Sequence, residues 1–141
     1  MTSIVARVVA KAVLYIGTLF SVTLLFAGHF EPGGGFIGGV MAASILAMFY
    51  IIFGKSYVES HFRIDYLLIA TIGLLISSSV AVMPAFLGRP ILTNILFEFE
   101  VPLLGEVKIA SSTVFDIGVY FTVVGVIMSI FKSASGSEVH E

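Results

Sequence analysis

His29 and Glu31 stand two positions apart in the run Gly28-His29-Phe30-Glu31-Pro32-Gly33-Gly34-Gly35-Phe36, and Asp116 lies inside the apolar run Val114 to Phe131. Imidazole titrates close to neutrality, and a carboxylate at membrane depth is costly unless paired, solvated or protonated, so these residue types suit proton or cation handling. His29 follows the end of an apolar segment, where unsatisfied helical carbonyls would favour the protonated ring. The same residues also have a plain reading. Two polar side chains at a membrane surface can simply face water, and Asp116 can be an interfacial aspartate about one turn inside a helix, stabilised by the helix dipole. Spacing alone does not separate the two.

The elements around these residues are apolar and long. Of the 141 residues 58% are hydrophobic and 11% charged, too apolar a mixture for one soluble core and natural for an integral membrane protein. Mean hydropathy is +1.10, in the same direction. Val13 to Ala27 and Phe36 to Phe53 carry no charged side chain. The pattern predicts an all-α membrane protein with about four transmembrane helices, over 8–27, 36–53, 66–87 and 111–131. Arg7 and Lys11, four residues apart, can both snorkel to one headgroup layer. The first span resembles a secretory signal, but its length, the lack of a small-x-small cleavage site before His29 and the later spans favour a retained helix. Lys55 to Asp65 reads as a short polar connection. In 90–110, Glu98 and Glu100 alternate with Phe97, Phe99 and Val101, and Pro102 to Gly105 supplies turn residues, which predicts a small extramembrane β-hairpin between the third and fourth spans. Residues 1–132 then form a single four-helix membrane domain, and 133–141 a flexible polar tail.

Composition also excludes classes. Without cysteine there is no disulfide framework or thiolate metal site, and nothing calls for a cofactor. A net charge of −2 with seven scattered basic residues leaves no footprint for nucleic acid. Residues 33–38, GGGFIG, satisfy the dinucleotide pattern G-x-G-x-x-G, with Glu59 downstream, but a membrane helix precedes them where a strand is required. Packing explains part of the run: Gly34 and Gly38, Gly35 and Gly39, and Gly39 and Ala43 repeat at i, i+4 and open a groove for close helix approach. Three glycines after Pro32 suggest irregular backbone as well, tolerated at membrane depth where it is buried in protein or lines a wet cavity. Ser77, Ser78 and Ser79 read as packing or back-bonding hydroxyls, and Phe36, Tyr57, Tyr66, Phe86 and Tyr120 as interfacial anchors. Arg7, Lys11, Lys55, Arg63 and Lys132 fall on one side of the membrane and Arg89 and Lys108 on the other; five against two predicts both termini in the cytoplasm.

GHFEPGGGFIGG at 28–39, with FDIGVY at 115–120 and VVGV at 123–126, resembles the MrpB/MnhB family, the B-type components of the multisubunit Na⁺/H⁺ antiporters of the Mrp or Mnh type. That family includes a domain of the large A-type component and counterparts in membrane-bound hydrogenase complexes. The resemblance implies a non-enzymatic accessory subunit in a bacterial inner membrane, partnered by A, C, D, E, F and G type subunits and by lipid. The assembly exchanges Na⁺ for H⁺. The A-type and D-type components of such antiporters carry a lysine and glutamate relay, whereas no lysine or glutamate lies mid-span here. On this basis His29, Glu31, Pro32, Gly33, Gly34, Gly35, Phe36 and Asp116 are candidates for an outer-side ion or proton path or an interface, and Gly38, Gly39 and Ala43 for helix packing. A purely structural packing subunit, or the equivalent subunit of a membrane-bound hydrogenase-type complex, is the alternative. A stand-alone transporter is disfavoured, because four short spans offer no relay.

Overall fold

The computed structural model describes residues 4–28, 34–61, 63–94, 96–101 and 105–135. Among the described residues four helices are long and apolar enough to cross a membrane: α1 (Ile4–Ala27), α2 (Gly35–Phe53), α4 (Tyr66–Phe86) and α5 (Ser111–Ala134). A short helix, α3 (Lys55–His61), lies between α2 and α4. The connection expected over Lys55 to Asp65 is therefore largely helical. Gly54, at φ 84°, breaks the chain only for one residue, while its N–H still reaches the Tyr50 carbonyl. Helices also overrun the expected edges. α1 starts at Ile4 rather than Val8, and α5 runs to Ala134, because no glycine or proline interrupts either end. The helical part of the expected tail is thus 133–134, and residues 136–141 lie outside the described residues.

Local chemistry fixes the other ends. The Asp65 carboxylate accepts from the N–H groups of Leu67 and Leu68 at 3.1 and 3.2 Å, a side-chain cap that starts α4. Near the opposite end the Pro84 carbonyl accepts from Leu87 and Arg89, closing the helix before Gly88 and Pro90. Strands β1 (Leu96–Val101) and β2 (Gly105–Ala110) pair antiparallel with Glu98 opposite Lys108. Residues 102–104, most of the expected turn, lie outside the described residues. α5 has no capping side chain on its own flank. Asn94 supplies one from upstream, its Oδ1 accepting from the Ser111 hydroxyl at 3.1 Å and the Ser112 N–H at 3.4 Å.

The spans pack in the order α1, α2, α5, α4, so α1 and α4 form the flanks. Apolar helices gain nothing by hiding from lipid, and what draws them together is close fit. The most extensive seam joins α4 to α5. A Cβ on Gly73 would lie 2.6 Å from the Gly118 carbonyl, and one on Gly125 would lie 2.5 Å from the Ala70 nitrogen. Ser77 is buried at the same seam, its hydroxyl turned back to the Leu74 carbonyl at 3.1 Å. Ala43 is fully buried in the α2 face of the core, beside Val124 and Met128 of α5. Tyr66 corrects the expectation of an interfacial anchor. It is 4% exposed, and its hydroxyl meets that of Tyr50 at 3.1 Å. A hydrogen-bonded phenol removes the reason to seek the headgroups.

Candidate functional site

The glycine run ends against Asp116. Gly34 has φ 97°, a conformation that side-chain-bearing residues rarely adopt, and donates its N–H to the Leu24 carbonyl of α1 at 2.9 Å. Its Cα faces the Asp116 carboxylate: a Cβ added there would stand 3.6 Å from Oδ2. Gly35 is tighter still, since a Cβ would collide with the Asp116 main-chain carbonyl. The first turn of α2 can therefore rest on the second turn of α5 only as glycine. Asp116 is partly buried, and among the described residues no cation pairs with it.

One turn deeper, the same junction holds two hydroxyls. Ser21 of α1 is fully buried, donates to the Gly38 carbonyl of α2 at 2.8 Å, and shares a 2.9 Å hydrogen bond with the Tyr120 hydroxyl of α5. This corrects the reading of Tyr120 as an interfacial anchor. The sequence carried a partial signal: Tyr120 lies four residues after Asp116, hence on the same helix face, whereas Ser21 is one of three hydroxyl residues close together in its span, with Thr18 and Thr23. Gly38 and Gly39 make the approach possible, Gly38 lying against Ser21 and Leu25 of α1 and Gly39 against Tyr120 and Val123 of α5. Gly38 also meets the Tyr120 ring, so the glycine face of α2 is a wedge between α1 and α5.

The structure thus brings Gly34, Gly35 and Asp116 together, with Gly38 and Gly39 beneath them. It leaves Phe36 outside the junction, 63% exposed on the outer surface of α2. His29, Glu31, Pro32 and Gly33 lie outside the described residues.

The other end of the bundle carries a separate polar cluster. Lys132 of α5 pairs with Glu59 of α3 at 3.3 Å, beside a cleft of about 530 Å³ that Arg63 and Asp65 also line. Glu59 therefore sits at the far end of α2 from Gly34, and the acid downstream of the literal nucleotide pattern does not approach its glycines. Among the described residues no cluster of histidine and carboxylate side chains could hold a metal ion.

A family model described as a domain related to the MnhB subunit of Na⁺/H⁺ antiporter matches residues 5–129. Proteins of Staphylococcus aureus strains MRSA252 and Newman, each named as antiporter subunit mnhB2, are 38% identical over 133 residues, 94% of this chain and 94% of theirs. In the solved Mrp complex from Dietzia sp. DQ12-45-1b, one chain superposes with a TM-score of 0.76 at 27% identity. The match covers 98% of this chain and 15% of that longer one.

Proposed function

The chain belongs to the family of domains related to the MnhB subunit of Na⁺/H⁺ antiporters, and on that footing we propose that it is an accessory membrane subunit of a multisubunit Na⁺/H⁺ antiporter. Its partners are the other subunits of that assembly. It is a multi-pass protein of the bacterial inner membrane with both termini in the cytoplasm, an orientation supported by the excess of Lys and Arg at the Lys55, Arg63 and Lys132 end. The hairpin then stands outside the membrane, next to the Gly34 and Asp116 junction.

The observation that carries a role in ion movement is the apposition of Gly34 and Gly35 to Asp116. Glycine backbone leaves the carboxylate without an apolar cover, and neighbouring peptide groups can share its field. A carboxylate so placed at the outer end of a span can accept a proton or a cation and pass it to an adjoining subunit. His29, Glu31, Pro32 and Gly33 adjoin Gly34 in the sequence and are candidates with it for the ion path or an interface, and Phe36, exposed on α2, for contact with a neighbour.

Exchange of Na⁺ for H⁺ in membrane vesicles bearing the assembled complex tests this. Asp116→Asn keeps shape and removes the titrating group, and the expected result is normal assembly with exchange reduced at least about tenfold, equivalent to about 1.4 kcal/mol of barrier. Full exchange with intact assembly sinks the ion-entrance role. Sensitivity confined to Gly38 and Gly39 would instead favour a packing subunit.

A further inference from the structure

At the Lys132 end of the bundle, Glu59 and the buried tyrosine pair hold hydrogen-bonding capacity that no described residue takes up. Glu59 Oε1 is buried and accepts no hydrogen bond among the described residues. The Lys132 ammonium stands 3.3 Å from it as a charge partner, off the line of a hydrogen bond. Buried polar atoms are nearly always paired, so this oxygen calls for a donor. Tyr50 and Tyr66 hold the complementary surplus. Their hydroxyls carry two protons and use one in the 3.1 Å bond between them, and among the described residues the other has no acceptor. Tyr66 lines the same cleft as Glu59, and the Glu59 charge acts on its hydroxyl. A spare donor and a spare acceptor thus border one space with no hydrogen bond between them.

Charge selects what joins them. Glu59, Asp65, Arg63 and Lys132 are the charged residues of the lining, two of each sign. Asp65 is committed to the cap of α4, and Lys132 to Glu59. A metal cation at Oε1 would stand against the Lys132 ammonium, and an anion would stand against the carboxylate itself. A neutral molecule that accepts from the phenol and donates to the carboxylate meets both needs, and water does both. We propose that the cleft binds one ordered water between Tyr66 and Glu59. The proton count then fixes the direction of every bond: Tyr50 donates to Tyr66, Tyr66 to the water, and the water to Glu59. The bridge ties α3 to α4 and α2, where Val58 and the Lys132 ion pair otherwise hold it to the bundle. Tyr50 thereby acts on Glu59 without touching it, because each donor in such a chain strengthens the next.

Infrared difference spectra of the purified full chain after a pH jump, recorded in ordinary and in heavy-oxygen water, test this whatever assembly the chain joins. The expected result is an O–H stretching band that moves with the water isotope. Tyr66→Phe and Glu59→Ala should each abolish it, and Tyr50→Phe should keep it but shift it to higher frequency. Arg63→Ala, in the same cleft but outside the hydrogen-bonded chain, should leave it unchanged. Absence of an isotope-sensitive band, or its survival in Tyr66→Phe, overturns the proposal. Tyr66→Phe deletes a single oxygen and decides alone where Glu59→Ala fails to fold. A high-resolution cryo-electron microscopy map of the assembly that contains the chain should show density within about 3 Å of both Glu59 Oε1 and the Tyr66 hydroxyl. A direct bond between those two atoms, a metal ion, or a partner's side chain in that place overturns it as well.

Discussion

Gly125→Ala and Gly17→Ala present the same added atom at the same nominal separation and should nevertheless differ in cost. At Gly125 the new Cβ would lie 2.5 Å from the Ala70 nitrogen, 2.6 Å from the Tyr66 carbonyl and 2.8 Å from the Ala70 Cα, all of them backbone atoms of α4. At Gly17 it would lie 2.5 Å from Ile45 Cδ1, the tip of a side chain. Ordinary contact begins near 3.4 Å, so at Gly125 the two helices must separate by about 0.9 Å, and a gap of that size forfeits a quarter to a half of each dispersion contact along the seam. Inserting a methyl group into a packed core costs about 1–3 kcal/mol, against which alanine's better helix propensity returns up to about 1 kcal/mol. At Gly17 the isoleucine can turn about its outer torsion for about 0.5–1.5 kcal/mol, which the same propensity gain offsets. Gly125→Ala should therefore destabilise the chain by about 1–2 kcal/mol and Gly17→Ala by less than about 0.5 kcal/mol. Reversible unfolding of the purified full chain in mixed detergent and SDS micelles, followed by circular dichroism, measures both. Equal costs, or a milder effect at Gly125, would refute the claim that backbone contact between α4 and α5 is what makes glycine necessary there.

Two further outcomes can be read in the same unfolding assay. Ser21→Ala and Tyr120→Phe each remove one side of the hydroxyl pair, and a double-mutant cycle should give a coupling of about 0.5–1.5 kcal/mol; additivity would mean that the 2.9 Å contact does not bind α1 to α5. Asn94→Ala removes the cap lent to α5, so stability should fall by about 0.5–2 kcal/mol with faster amide exchange confined to Ser111 to Val114, and unchanged exchange there would show that the end needs no side-chain partner.

Sequence by itself determined the number and approximate position of the membrane spans, because runs such as Val13 to Ala27 have no other solvent in which to be stable. It also singled out the glycine run and Asp116, since a carboxylate and three consecutive glycines are conspicuous in an apolar chain. Which neighbour each span meets was not legible. A helix that is hydrophobic all round has no periodic stripe to mark its buried side. The short α3 was hidden for a related reason, as KSYVESH has the polar composition of a loop and becomes helical beside Lys132, with Val58 buried in the core. Tyrosines mark the limit most clearly. Tyr66 and Tyr120 look like boundary anchors in one dimension, and only folding supplies Tyr50 and Ser21 as partners for their hydroxyls. The meeting of Gly34 with Asp116 belongs to the same class of fact. Lipid exerts no drive that would bring α2 to α5 by hydrophobicity, so their contact is decided by how closely glycine lets two backbones approach, and that is a property of the tertiary structure.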